Sequence, residues 1–230
     1  MKAVPTLFFA MLMTAPLLAQ NYQYQYPNDP YSSAPQPQPQ SKYGATTASA
    51  NNYGFDKLLG YGSLSLNYSF LDFKHDSIFS GSNGLAAQLR VPLFKPLFLD
   101  FGLDWHTGTD SHHHSFNFTG ISGAAGVFIP LGSRFHLFAE VGGRYYSPGG
   151  SLSTIETDDF SVFLRPGLRV AVTEKFELAG SVLFADAKNF NDRSVELNAY
   201  YALLSVLDLG FGMDFGSDAN SYHAGLRLRW

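Results

Sequence analysis

The chain has 230 residues, enough for one large domain plus tails, and carries 15 Lys+Arg against 19 Asp+Glu for a formal charge of −4. That balance gives no general attraction to nucleic acid. With no cysteine, the chain can form neither a disulfide framework nor a thiolate metal site, and attachment as a lipoprotein is excluded.

The opening stretch MKAVPTLFFAMLMTAPLLAQ sets a basic Lys2 before apolar residues from Leu7 to Met13 and a small Ala19. This pattern reads as a secretory signal peptide over residues 1–19, cut after Ala19. No later run of about 18 apolar residues occurs, so no helix is expected to cross a bilayer. The exported chain is expected either to stay in solution or to cross a membrane as strands.

Residues 20–54 are a different material, with NYQYQYPNDPYSSAPQPQPQS giving way to GATTASANN. Alternating proline removes backbone donors and favours extended conformations, and aliphatic residues are too few to build a core. The segment is expected to be a disordered linker whose Tyr22, Tyr24 and Tyr26 are solvated, with docking of the three on a partner as the alternative.

Residues 55–230 form the main domain, and from Gly60 onward alternation sets in. Leu64, Leu66, Tyr68 and Phe70 alternate with Ser63, Ser65, Asn67 and Ser69. A second segment carries Leu85, Ala87, Leu89, Val91 and Leu93, and a third Leu97, Leu99, Phe101, Leu103 and Trp105. The fourth, from Phe118 to Ile129, is the weakest and rests on Ile121, Ala125, Val127 and Ile129. The fifth runs from Phe135 to Tyr145, the sixth from Val162 to Val172 and the seventh from Phe176 to Phe184. Val195 to Leu203, Leu207 to Phe215 and Tyr222 to Trp230 complete the set. Every-second-residue periodicity marks strands with one apolar and one polar face, and ten strands are expected.

Connections alternate in length. Longer polar stretches (KHDSIFSGSN, TGTDSHHHSFN, YSPGGSLSTIETDD, AKNFNDR, GSDANS) follow odd-numbered strands, and tight joins around FKP, PLGS, TEK and LS follow even-numbered ones. A hairpin is being repeated. Sorting of short turns and long loops to opposite ends, with an even strand count, is the mark of an up-and-down barrel whose ends lie in different compartments. A soluble secreted β-sandwich or binding protein is the alternative, but both of its ends meet the same solvent.

The polar face holds Arg90, Arg144, Arg165, Arg169, Arg227 and Arg229 with Asp100, Asp104, Glu140, Glu177, Glu196, Asp208 and Asp214, and no Lys. Nearly balanced charges lining a narrow lumen can neutralise one another, and the planar arginine fork suits enclosed carboxylate pairs better than lysine does. The apolar face carries Tyr68, Trp105, Tyr145, Phe160, Tyr222 and Trp230 near strand ends, as interfacial girdles require. Lipid is therefore expected outside and the charges inside.

The last nine residues, YHAGLRLRW, resemble the C-terminal assembly signal of bacterial outer-membrane barrels: a polar residue, then Gly, then two alternating apolar positions ending in an aromatic. The matching residues are His223, Gly225, Leu228 and Trp230, with Trp replacing the commoner terminal Phe. With the signal peptide and the repeated hairpin, the chain resembles the small outer-membrane β-barrel group that includes opacity proteins and the transmembrane domain of OmpA. That resemblance implies an all-β, transmembrane up-and-down antiparallel barrel in the cell outer membrane, with eight strands as the alternative to ten. It also implies outer-membrane lipid and, during biogenesis, the barrel assembly machinery as partners.

Water-filled porins need about 16–18 strands, and smaller barrels are filled by side chains. Inward Phe98, Phe138, Phe163 and Tyr200 leave little room, so a structural or surface-interaction role is expected, with at most a narrow pore. The monomeric chain is expected to need no cofactor, to carry no catalytic residue and to bind no nucleic acid, its outer loops meeting a ligand the sequence does not name. His112, His113 and His114, with Asp110 and His106, are a weak candidate for zinc or copper, because adjacent histidines on a loop do not converge on one point. An omptin-like protease would have to use Asp158, Asp159 and the histidine cluster. A lipid A deacylase would need a His and a Ser two apart, whereas His136 is followed by Leu137 and Phe138. His136 and Glu140 read as lumen filling.

Overall fold

A computed structural model describes residues 59–74, 79–110, 115–150, 159–186, 193–217 and 219–230. The signal peptide and linker assigned above, the candidate His112, His113 and His114, and Asp158 lie outside the described residues.

Ten antiparallel strands follow one another: β1 (Ser63–Phe73), β2 (Phe79–Phe94), β3 (Leu97–Asp110), β4 (Ser115–Pro130), β5 (Phe135–Gly150), β6 (Asp159–Ala171), β7 (Phe176–Asp186), β8 (Arg193–Ala202), β9 (Leu207–Phe215) and β10 (Ala219–Arg229). Each pairs with its sequence neighbours, and β1 closes on β10, so the sheet is a single cylinder. Closure leaves no edge, which is the condition for strands to survive in hydrocarbon where no water can satisfy a free N–H or C=O. The eight-strand alternative and the two-layer sandwich are both corrected by this closed ten-strand ladder.

Register follows from the alternation. Leu66 lies opposite Leu226 on one side and Ala87 on the other, so the apolar positions of β10, β1 and β2 share the outer face. A one-residue slip would turn every such side chain inward.

Exposure is inverted relative to a water-soluble protein. Leu66 and Val141 are each 57% exposed, whereas Glu177 and Asp208 are fully enclosed. Outward aromatic residues gather towards both rims. Phe70, Trp105, Phe160, Phe184, Phe215 and Tyr222 lie towards the loop end, and Phe94, Phe135, Tyr201 and Trp230 towards the turn end, all exposed.

Several strands extend further towards the loop end than the alternation predicts. β2 starts at Phe79 rather than Gly84, and β4 and β5 each run 16 residues. The stretches SGSN, TGTD and SFN, expected as loop, are strand. Outward positions there carry Thr107, Thr109, Thr119 and Ser147, so the hydrophobic alternation fades while the ladder hydrogen bonds continue. β4 reads weakly because its inner face carries Gly120, Ser122, Ala124 and Gly126, giving little contrast between its two sides.

Small inner residues make room for large ones across the ladder. A Cβ at Gly126 would strike the Phe98 ring, and one at Gly167 the Phe138 ring. Tyr61, Phe98, Phe128 and Phe138 form one enclosed cluster near the turn end, and Ala124, Phe163, Leu183 and Ala185 form another.

Candidate functional site

The site is the lumen. Nearest the turns, β6, β7, β9 and β10 contribute alternate inward residues that meet in one chain of charge. Arg169 Nε donates to Glu177 Oε1 at 2.6 Å, and Arg227 Nη2 donates to Glu177 Oε2 at 2.6 Å. Arg227 Nε reaches Asp208 Oδ2 at 2.7 Å, and Arg229 Nη2 reaches Asp208 Oδ1 at 2.7 Å. The register sets Arg227 directly opposite Asp208, so neighbouring strands hold the pair without either side chain having to reach.

A second network crosses the barrel from β2 to β8. Arg90 Nε donates to Asp100 Oδ2 at 2.8 Å and its Nη2 to Glu140 Oε1 at 2.8 Å. Gln88 Nε2 lies 3.0 Å from both oxygens of Asp100. Arg165 donates to Glu140 Oε2 through Nε, at 2.7 Å, and through Nη2, and extends Nη1 to Glu196 Oε2 at 3.5 Å. Ser181 Oγ donates to that same Glu196 oxygen at 2.6 Å. Removing charges from water is tolerable only where opposite charges and hydrogen bonds replace it. Asp100, Glu140, Glu177 and Asp208 each have both oxygens engaged.

A segment preceding β1 enters the turn end of this lumen. Leu59 is fully enclosed and packs with Ala171, and Tyr61 is 5% exposed. The Tyr61 ring stacks on Phe128 at 4.2 Å and on His136 at 5.9 Å, and lies tilted against Phe98 at 4.7 Å. Arg169 and Arg90 place their guanidinium carbons 4.7 Å and 5.7 Å from its centroid. Arg169 Nη1 also donates to the Leu59 and Gly60 carbonyls, each at 3.2 Å.

Towards the loop end lies a cavity of about 660 Å³. Its lining descends from Phe73, Phe116 and Ala219 past His106, Phe118, Arg144 and Asp214 to Arg169, Glu177 and Arg227. Tyr61, Phe98, Phe128 and His136 lie below it and do not line it.

The thirteen charged residues of the polar face fall into two groups. Ten of them make the two networks. Of the other three, Asp104 sits where a Cβ on Gly120 would collide with its carboxylate. Arg144 holds its guanidinium carbon 5.4 Å from the Tyr146 ring and 5.9 Å from that of Phe163. Asp214 Oδ2 is 3.9 Å from His223 Nδ1.

The residues of the terminal motif divide between faces. His223 points inward, with Nε2 2.9 Å from Asn198 Oδ1, and Gly225 backs onto Asn67. Leu228 and Trp230 are outward and exposed.

His106 belongs to the lumen wall, stacked on Phe118 at 4.8 Å with Nε2 3.3 Å from Ser69 Oγ. Among the described residues no three His, Cys, Asp or Glu side chains are grouped to hold a metal ion. Asp159 lies opposite Tyr146 at the start of β6. His136 stacks on Phe128 at 5.6 Å, and Glu140 is occupied by two arginines.

Leu59, Gly60 and Tyr61 have no counterpart in the strand reading. Their signal was the run LLGYG, where apolar residues flanked by glycine stand between a polar stretch and the first alternating segment.

A family model described as the outer membrane protein beta-barrel domain matches residues 31–215. Similar solved structures include a KdgM porin, 9% identical, covering 73% of this chain and 99% of that one with a TM-score of 0.43. OprG from Pseudomonas aeruginosa is 10% identical over 74% of this chain and 96% of its own, with a TM-score of 0.42. Ail, the attachment invasion locus protein of Yersinia pestis, is 12% identical over 73% and 95%, with a TM-score of 0.34. No curated protein matches the chain by sequence.

Proposed function

Because the chain belongs to the outer-membrane β-barrel protein family and is located in the outer membrane, we propose that it serves there as a closed, non-catalytic barrel with a structural or surface-interaction role. The observation that carries this reading is the floor of the cavity. The lining stops at Arg169, Glu177 and Arg227, and the stack of Tyr61 on Phe128 and His136 fills the turn end beneath it. In a barrel of this family the short turns face the periplasm and the longer loops face outward, so the cavity is a well on the cell-surface side of the barrel and is blocked towards the cell.

Catalysis is disfavoured because the carboxylates deepest in the lumen are committed to arginine. A general acid or base needs a free oxygen within reach of substrate, and Glu140, Glu177 and Asp208 offer none. In this reading the partners are lipid around the barrel and the assembly machinery that recognises the last strand through His223, Gly225, Leu228 and Trp230, and the barrel works as a monomer.

Planar-bilayer recording of the purified full chain is the test. The reading expects no large, steady conductance, and a stable open level of porin size overturns it. Incubation with cationic peptides and with lipid A is expected to leave both intact.

A further inference from the structure

We propose that Leu59–Tyr61 is a displaceable stopper and that the lumen it closes becomes a conduit for small anions when the segment withdraws. This deepens the closed-barrel reading and rests on it.

The stopper stands outside the ladder. β1 begins at Ser63 and pairs with β2 and β10 without it. Leu59 and Gly60 are held through their carbonyls by Arg169 Nη1, and Tyr61 by ring stacking. Among the described residues, no strand pair has to break for the segment to leave. Its removal would vacate the slot the Tyr61 ring occupies directly beneath the floor of the 660 Å³ well, so that only the side chains of Arg90, Arg169 and their partners stand between the two.

The charge selectivity follows from the donors and acceptors left behind. Asp100, Glu140, Glu177 and Asp208 have both oxygens engaged by Gln88 or arginine, and none of these bonds involves the stopper. Arg169 Nη1, by contrast, loses two carbonyl acceptors when the segment withdraws. Arg90 and Arg169 both lie against the ring of Tyr61, so the vacated slot is flanked by guanidinium groups. Hydrogen-bond donors of positive charge attract anions, and at the slot the carboxylates bonded to Arg90 and Arg169, namely Asp100, Glu140 and Glu177, already have both oxygens satisfied and compete weakly for cations.

The experiment compares the full chain with its Tyr61→Ala and Leu59→Gly variants in planar bilayers under a KCl gradient. Folding of each is verified by heat-modifiable migration on a gel. The unaltered chain is expected to be silent. Tyr61→Ala is expected to give discrete small openings whose reversal potential lies on the chloride side, and Leu59→Gly, which loosens the anchor and keeps the ring, to give the same openings less often. Folded variants as silent as the parent, or openings that prefer potassium, overturn the inference and leave the closed barrel standing. If Tyr61→Ala does not fold, Leu59→Gly decides by the same criteria. Large steady conductance from the unaltered chain overturns both readings.

Discussion

Arg227 lies face-on to Tyr200, its guanidinium carbon 3.6 Å from the ring centroid. The same guanidinium holds Glu177 and Asp208 through its edge, so one side chain uses its flat face on an aromatic ring and its rim on two carboxylates. Lysine, a compact charge without a plane, cannot do both.

Glu177 joins Arg169 to Arg227, and Glu177→Ala takes from Arg169 the carboxylate that neutralises it in an enclosed site and leaves Arg227 to share Asp208 with Arg229. Removing one member of a buried ion pair costs about 3–5 kcal/mol, because the remaining charge stays uncompensated. The expected outcome is a lowered urea midpoint for loss of the heat-modifiable band in detergent. An unchanged midpoint would mean that water reaches this layer.

The outer face gives the opposite expectation for added charge. Leu226 is exposed at the centre of the apolar run of β10, and its neighbours across the ladder are Leu66 and Leu209. Leu226→Arg is expected to destabilise the barrel by about 2–4 kcal/mol in a bilayer, the cost of arginine at mid-membrane. Unfolding titrations in phosphatidylcholine vesicles measure it, and a near-zero cost would place Leu226 in water.

Two glycines separate lumen crowding from lipid contact. A Cβ at Gly225 would run into the Leu66 carbonyl oxygen, which is backbone and cannot give way. At Gly123 the nearest atom to an added Cβ is Phe101 Cδ1 at 3.8 Å, an ordinary contact. Gly225→Ala is expected to lower the yield of folded barrel several-fold on refolding into detergent, and Gly123→Ala to leave it unchanged. Equal yields would mean that β1 and β10 approach less closely than this.

What could be read from the sequence depended on contrast between faces. β9, LDLGFGMDF, alternates without interruption, and its bounds of Leu207 and Phe215 were readable residue by residue. β4 was faint because Gly120, Ser122, Ala124 and Gly126 are small whichever way they point, and its length comes from backbone pairing with β3 and β5. The charged residues could be assigned to one face by parity alone. Parity cannot give partners, however, because Arg90 reaches Glu140 three strands away, and that distance is set by barrel closure and tilt. Tyr61 was beyond any periodicity argument, since it lies outside the strands and its position depends on rings from β3, β4 and β5.

The assignment of inside and outside is tested most directly at two adjacent residues of β8. The chain has no cysteine, so Leu197→Cys and Asn198→Cys can each carry a single environment-sensitive fluorophore in reconstituted vesicles. Leu197 is outward and Asn198 contacts His223 in the lumen. Quenching by lipids brominated along their acyl chains is expected to be strong at position 197 and weak at 198. Equal quenching at the two positions, or stronger quenching at 198, would contradict the account.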